Sequence, residues 1–457
     1  MYLNKLIVVI FLIIAFTVNI SVTYGNIKQE VASSSSHGGE NKEGEGKKEG
    51  EGKEGEPKPT PTPKKPGVKE LMEKAKGLSG KGDYNGALKI YNDILKLDAK
   101  NGVIYLAMAL CYEKLKDYEK AEKNYLQSIR LAPSIAETHK ALGDMYYKKG
   151  MYKEAITAYE EAVKLKPKEI KFLLALADCL YKTKYYEKSI ETYNKIIAIK
   201  PDTTCYHNLG VCYFYMEDYD SAITNLKKSI EALPDDPLTH NLLGKCYIKT
   251  EKIKEAIEEF ILAASQEPDN TIYNVNLGSA YFDNGEYDKA STFYLKARTI
   301  EPKNATLHHN LGLCYYYTGK YEEAISSFRE ATKLAPSEGK SHYFLAESLL
   351  GSKRIKEAVT EYEKAVKLSP YNSDYYRELA WASYLNGNNP RAIECAKKAT
   401  ELNEKDQAGF FILGVIYQAA GNGEKAYGAY MRVIELSPES PVAQKAKKNI
   451  EVLPKPE

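Results

Sequence analysis

Residues 207–223 read HNLGVCYFYMEDYDSAI, and residues 309–325 read HNLGLCYYYTGKYEEAI. Each stretch gathers an imidazole, a carboxamide, a thiol and a run of aromatic rings. A histidine near a cysteine is the raw material of a metal site or of a base beside a nucleophile. An asparagine beside exposed rings suits a different task. The amide both donates and accepts, so it can hold a peptide main chain, and aromatic rings dominate interface hot spots. The residues that carry this choice are His207, Asn208, Phe214 and Tyr215, with His309, Asn310, Tyr316 and Tyr317. The two stretches lie 102 residues apart, three steps of 34. That spacing is the mark of a repeated structural unit rather than of two copies of an active site.

From Val68 onward the sequence aligns with itself at a period of 34, with one step of 33 between the fourth and fifth units. Units begin at 68, 102, 136, 170, 203, 237, 271, 305, 339, 373 and 407. Position 8 is always Ala or Gly, as in Ala75, Gly210 and Gly312, and position 20 is Ala except at Ser189. Position 32 is usually Pro, from Pro133 to Pro438. Small residues at 8 and 20 let two helices approach closely. Apolar positions at 4, 7, 8 and 11, then at 17, 20, 24 and 27, have helical spacing. Gly at position 15 (Gly82, Gly150, Gly285, Gly319, Gly387, Gly421) predicts a left-handed helix end, and Pro at 32 stops the second helix. Each unit is therefore a helical hairpin that must stack on its neighbours to bury its apolar face. Residues 441–453, PVAQKAKKNIEVL, read as a final helix. Val442, Ala446 and Ile450 cover the last unit, and Lys445, Lys447 and Lys448 face solvent.

The order Leu-Gly/Ala at 7–8, Tyr at 11 and 17, Ala at 20, Tyr or Phe at 24 and Pro at 32 closely resembles the tetratricopeptide repeat family over residues 68–440. Position 4 departs from it, with Tyr105, His139, His240, His308 or His342 where the family often has Trp. Repeat ten is degenerate, with Asn389-Pro390 in place of Tyr and Glu404 in place of Pro. The resemblance implies an all-α fold, an α-solenoid that winds as a right-handed superhelix of antiparallel hairpins, with a C-terminal capping helix. It also implies that positions 2, 5, 6, 9, 12 and 13 of the first helices face a concave groove.

The period gives the cysteines and most histidines a structural reading. Cys111, Cys179, Cys212, Cys246 and Cys314 recur at position 10. Neighbouring copies stand roughly 10 Å apart, beyond disulfide reach, and read as small core residues. Cys205 and Cys212, seven apart on one helix, are separated by a similar distance, and Cys395 has no place in the pattern. Histidines recur at position 4 as buried, hydrogen-bonded rings. His308 and His309 point to different faces, and no zinc spacing is present. Gly50, Gly52 and Gly55 satisfy G-x-G-x-x-G, but inside a Gly/Glu/Lys tract without the strand and helix that a dinucleotide site needs. No cofactor, metal or catalytic residue is expected. The repeats and final helix fill residues 68–453, which leaves no catalytic domain.

Most of the 38 tyrosines sit at packing positions 11, 17 and 24. The rings at positions 12 and 13 divide between two readings, a peptide-binding stripe and packing against the next repeat. They include Phe214, Tyr215, Phe282, Tyr316 and Tyr317. Position 6 holds Asn208, Asn276 and Asn310, with Asn241 one residue earlier in its repeat. This row is similar to the asparagines that line the superhelix of the O-GlcNAc transferase family, although Ala107, Ala141, Ala175, Leu242, Phe344 and Ile412 interrupt it. Trp381, the only tryptophan, lies at position 9 of repeat ten, as an exposed anchor or as filling for a degenerate repeat.

The first 25 residues combine Lys5, the apolar run Leu6–Phe16 and small residues at Thr23 and Gly25, which predicts a secretory signal. The alternative is an uncleaved anchor through residues 6–22. Residues 26–67 are Gly/Glu/Lys-rich and then Pro-rich (PKPTPTPKKP), a low-complexity linker expected to be disordered. Both readings place the repeats outside the cytoplasm: periplasmic, secreted or membrane-anchored. The net charge of +2, from 64 basic and 62 acidic residues, gives no argument for nucleic-acid binding. The expected function is a non-enzymatic scaffold that binds a peptide or protein partner in its groove. The alternative is a membrane-tethered structural component of envelope or secretion-machinery assembly.

Overall fold

The computed structural model describes residues 67–453. The stretch 1–25 expected to be an export signal or anchor, the low-complexity residues that follow it through 66, and residues 454–457 lie outside the described residues. The described residues hold paired helices and no strand. In every repeat the first helix has 13 residues and the second 14, as in repeat five (Thr203–Tyr215 and Tyr219–Ala232). The step of 33 costs neither helix a residue. The second helix of repeat four ends at Ile199 and the next begins at Thr203, so the missing residue comes out of the connection.

Local chemistry sets the ends. Asp83, Asp117 and Asp218 accept from the backbone N–H three residues on and start second helices. Asn101 and Asn304 accept from the N–H two residues on, and Asn270 from those two and three residues on, to start first helices. Each such cap contributes about 1 kcal/mol. Position 15 is left-handed in all eleven repeats. Glycine supplies it in six, and Lys116, Lys184, Glu217, Glu251 and Lys353 take φ between 60° and 65° in the other five. The turn geometry is thus imposed by the packed hairpin, and five repeats adopt it against the preference of an L side chain.

Close packing within each hairpin centres on positions 8 and 24. A Cβ at Gly312 would stand 2.6 Å from the Phe328 ring, and one at Gly244 would meet Phe260 at the same distance. Glycine there leaves room for the ring. In most neighbouring pairs of repeats, the first helices touch one another more than any pair of second helices does. The first helices therefore line the inner side of the curved array. The final helix (Pro441–Glu451) buries Ala443 and Ala446 against Tyr430 and Val433. Asn449 Nδ2 donates to the Tyr430 hydroxyl at 3.0 Å.

All seven cysteines are buried free thiols. Cys395, which the periodicity does not place, packs in the core of repeats eight to eleven. Burial pushes the Cys246 and Cys314 thiols up to about 12, which keeps them protonated and unreactive.

Candidate functional site

One rule organises the inner face. The tyrosine at position 24 runs under the first helix, and its hydroxyl emerges beside position 9 or 12, where it is always met. Tyr159 donates to Asp144, Tyr193 to Asp178 and Tyr362 to Glu347, and Tyr294 pairs with Ser279, all at position 9. In repeats two and eleven the acceptors are Glu113 and Gln418, at position 12. A buried hydroxyl left without a partner costs about 1–3 kcal/mol, which explains the pairing. Repeats five, six, eight and ten have Leu226, Phe260, Phe328 and Ala396 at position 24 and so have no hydroxyl to satisfy. Their position 9 holds Val211, Lys245, Leu313 and Trp381. Three of these four are apolar, and Lys245 is not.

The asparagine row is not uniform. Asn208 Nδ2 donates to the Tyr193 hydroxyl of the preceding repeat at 3.1 Å. Asn276 Nδ2 donates to Asn241 Oδ1 at 2.7 Å, which couples repeats six and seven. Asn310 is half-buried, and its amide has no hydrogen-bond partner among the described residues. Three of the four amides therefore brace the array, and one is open.

The rings form two matching trios. Tyr181, Tyr186 and Tyr215 gather at the boundary of repeats four and five, with Tyr186 and Tyr215 stacked at 5.4 Å. Phe282, Tyr287 and Tyr317 repeat the arrangement at repeats seven and eight, with Tyr287 and Tyr317 stacked at 5.1 Å. In each trio the position-17 tyrosine of one repeat lies against the position-13 tyrosine of the next. Tyr215 stays 41 % exposed, whereas Phe282 is buried. Phe214 packs edge-on against Tyr219. Tyr316 donates to Glu347 at 2.9 Å, and burial with that carboxylate raises its phenol well above the ordinary value. Burial also pushes Tyr317 up to about 12. Trp381 is half-buried with its ring tilted against Tyr384.

The two candidate histidines reach into the next repeat. His207 Nδ1 pairs with the Thr239 hydroxyl at 2.7 Å, and His309 Nδ1 with Ser341 at 3.0 Å. Burial lowers both imidazoles; His309, near Lys340, falls to about 4 and is neutral at pH 7. Four position-4 residues bond instead to the carbonyl oxygen of the preceding position-32 proline. His139 reaches Pro133, His240 reaches Pro234, His308 reaches Pro302, and Asn274 donates to Pro268. His240 and His342 also meet Glu259 and Glu361, each at 2.6 Å. Among the described residues, no three His, Cys, Asp or Glu side chains are placed to hold a metal ion.

Repeats nine and ten carry a charged cluster that the periodicity does not single out. Arg377 contacts Asp374 at 2.6 Å, Glu378 at 3.0 Å and Asp406 at 3.0 Å. Burial and the Glu347 charge hold the Glu378 carboxyl up to about 6 even beside this guanidinium. The available signal was an Arg-Glu pair at positions 5 and 6, a pairing of opposite charges that no other repeat carries there.

Family models described as tetratricopeptide repeat match residues 100–168, 213–274, 269–337, 309–373 and 377–441. The chain belongs to the tetratricopeptide repeat family. A further model, described as anaphase-promoting complex, cyclosome, subunit 3, matches residues 148–229 of the tetratricopeptide array. No curated protein matches the sequence. Solved structures similar to this tetratricopeptide protein include the Cut9–Hcn1 hetero-tetramer of the anaphase-promoting complex. There the identity is 14 %, the match covers 84 % of this chain and 90 % of that one, and the TM-score is 0.41. The C-terminal part of a tetratricopeptide protein from Cytophaga hutchinsonii is 22 % identical over 61 % of this chain and 99 % of that one, with a TM-score of 0.42. YrrB, titled a tetratricopeptide protein with an unusual peptide-binding site, is 24 % identical over 42 % of this chain and 99 % of that one, with a TM-score of 0.38.

Proposed function

We propose that this protein is a non-enzymatic scaffold whose inner face, across repeats five to eight, holds an extended segment of a partner protein. One observation carries this reading. Leu238 and Ile272, at position 2 of adjacent first helices, are 54 % and 60 % exposed on the inner side of the array. The first helices of the two flanking repeats carry the exposed ring of Tyr215 and the open amide of Asn310. Alternating apolar and amide groups suit an extended main chain with side chains on both sides. Repeat two also exposes Val103 and Leu110, but its Glu113 is taken up by Tyr125 and Lys148.

The test compares two faces of repeats six and seven. Peptides selected from a random library against the full chain are assayed against Leu238→Asp/Ile272→Asp and against Ile261→Asp/Leu262→Asp. The latter pair is comparably exposed on a second helix. Loss of binding in the first variant alone supports the groove; loss in the second alone refutes it. The array is further proposed to work outside the cytoplasm, on the strength of Lys5 and the apolar run Leu6–Phe16. Mass spectrometry of the mature protein checks this, with a start near Asn26 expected for cleavage. An intact N-terminus on protein recovered from the soluble cytoplasm would contradict both cleavage and anchoring.

A further inference from the structure

Lys245 breaks the rule of the inner face. It occupies position 9 of repeat six, the place where other repeats keep an acceptor for the tyrosine hydroxyl from position 24. Position 24 of repeat six is Phe260, which offers nothing to pair with. The other repeats without that hydroxyl fill position 9 with Val211, Leu313 or Trp381. Lys245 is half-buried and makes no ion pair or hydrogen bond among the described residues. Protein surrounds it closely enough for desolvation to lower its ammonium below the ordinary lysine range. An unpaired, poorly solvated charge is costly, so the fold gains nothing from this residue. The ammonium is not sealed in the core either. The fully enclosed side-chain polar atom left without a partner among the described residues is Ser383 Oγ, not Lys245 Nζ. The cation therefore opens onto the groove.

Its surroundings describe what would complete it. Asn241 lies one turn away on the same helix. It accepts a hydrogen bond from Asn276 Nδ2 at Oδ1, which uses one atom of each side chain and leaves the Asn241 NH2 and the Asn276 carbonyl oxygen free. Leu238 and Ile272 stand exposed on the same face. Folded repeats continue along the groove on both sides of repeat six, so no wall there marks the end of a ligand. We propose that Lys245 seats the carboxylate of an internal Asp or Glu side chain in an extended partner segment. The neighbouring residues of that segment are apolar and rest on Leu238 and Ile272, and the free amide atoms hold its main chain. This rests on the groove reading above and adds the chemistry of the occupant: acidic at one place, apolar beside it.

The experiment is selection with the purified full chain from a random twelve-residue library displayed inside a carrier loop, so that no peptide has a free end. A second library has free C-termini. Wild type is expected to enrich an internal Asp or Glu flanked by Leu, Ile or Val. Synthetic blocked peptides of that pattern should bind about tenfold to hundredfold more weakly to Lys245→Met, the range of one charge-assisted hydrogen bond. Lys245→Glu should exchange the acidic preference for a basic one, and Lys245→Arg should keep it. Unchanged helical content and no loss of melting temperature in each variant separate binding from folding. Enrichment of peptides with no acidic preference, or with one that survives Lys245→Glu, overturns the inference and leaves the groove standing. Enrichment from the free-C-terminus library alone also overturns it, by making the ligand a chain end. If neither library yields a binder, both readings fall.

Discussion

Repeats six and nine share one backbone plan and use position 9 in opposite ways. In repeat nine, Glu347 accepts from Tyr362 of its own hairpin and from Tyr316 of the repeat before it. It joins three helices and is part of the structure. In repeat six, Lys245 stands at the equivalent place over Phe260 and joins nothing among the described residues. The same position on the same face is thus a structural joint in one repeat and an open group in the other. A polar residue on the inner face of a solenoid signals function only when the residues around it leave it unused. That criterion separates Asn310 and Lys245, which are wholly open, from Asn208, Asn241 and Asn276, each of which spends part of its amide on bracing the array.

The contrast can be broken from either side. The largest effect is expected from Glu347→Leu, which strands two hydroxyls at once. It should destabilise repeats eight and nine by about 2–4 kcal/mol, read as loss of amide-exchange protection in Ala305–Tyr317 and Ile355–Leu368. The change should be small in repeats two to four, because a solenoid couples mainly nearest neighbours. The paired repeats should also respond to pH. His309 is held near pKa 4 when folded, against an ordinary value of about 6.5. The unfolded chain therefore binds the extra proton, and stability is full above pH 6.5 and lost as pH falls toward 4. The loss is on the order of 1–3 kcal/mol. Glu378 works with the opposite sign over a narrower window, since its folded carboxyl is raised to about 6. His309→Gln should remove the His309 part of the acid-side loss and leave the His207 and Glu378 contributions in place, measured by urea unfolding at pH 7, 5.5 and 4.5.

The open side of the contrast predicts gains. Lys245→Met removes an unpaired charge from a poorly solvated place and should stabilise the array by about 1 kcal/mol while weakening ligand binding. An unchanged or lowered melting temperature would mean that the ammonium has a partner in solution. The smallest effect is a control far from the groove chemistry. Glu217→Gly and Lys184→Gly relieve left-handed backbone at residues with φ of 62° and 65°. Each should raise stability by about 0.5–1 kcal/mol without touching binding.

Much of this fold was legible in the sequence because its determinants recur. Small residues at 8 and 20, the left-handed turn at 15 and proline at 32 each appear often enough for the period to show their purpose. The conformation of Lys116 or Glu251 could not be read in the same way, since their turn geometry is dictated by packing and not by their own preference. The candidate site was legible by residue type and not by use. Asn208 and Asn310 look equivalent in sequence. Tyr193, a residue of the neighbouring repeat, takes the amide of Asn208, while its counterpart below Asn310, Tyr294, is paired with Ser279. The hydroxyl rule was also written in the sequence, as an acceptor at position 9 or 12 wherever position 24 is tyrosine. It becomes visible only once the direction of that side chain is known. Lys245 escaped notice because a periodic pattern draws attention to what recurs, and its importance lies in a mismatch with Phe260.

The most direct measurement is an amide hydrogen-exchange footprint of the full chain with and without a saturating selected peptide. Added protection is predicted in the first helices of repeats five to eight, Thr203–Tyr215, Pro237–Lys249, Thr271–Asp283 and Ala305–Tyr317, strongest around Lys245. Protection confined to second helices such as Ile253–Gln266, or to the terminal repeats, would contradict the account.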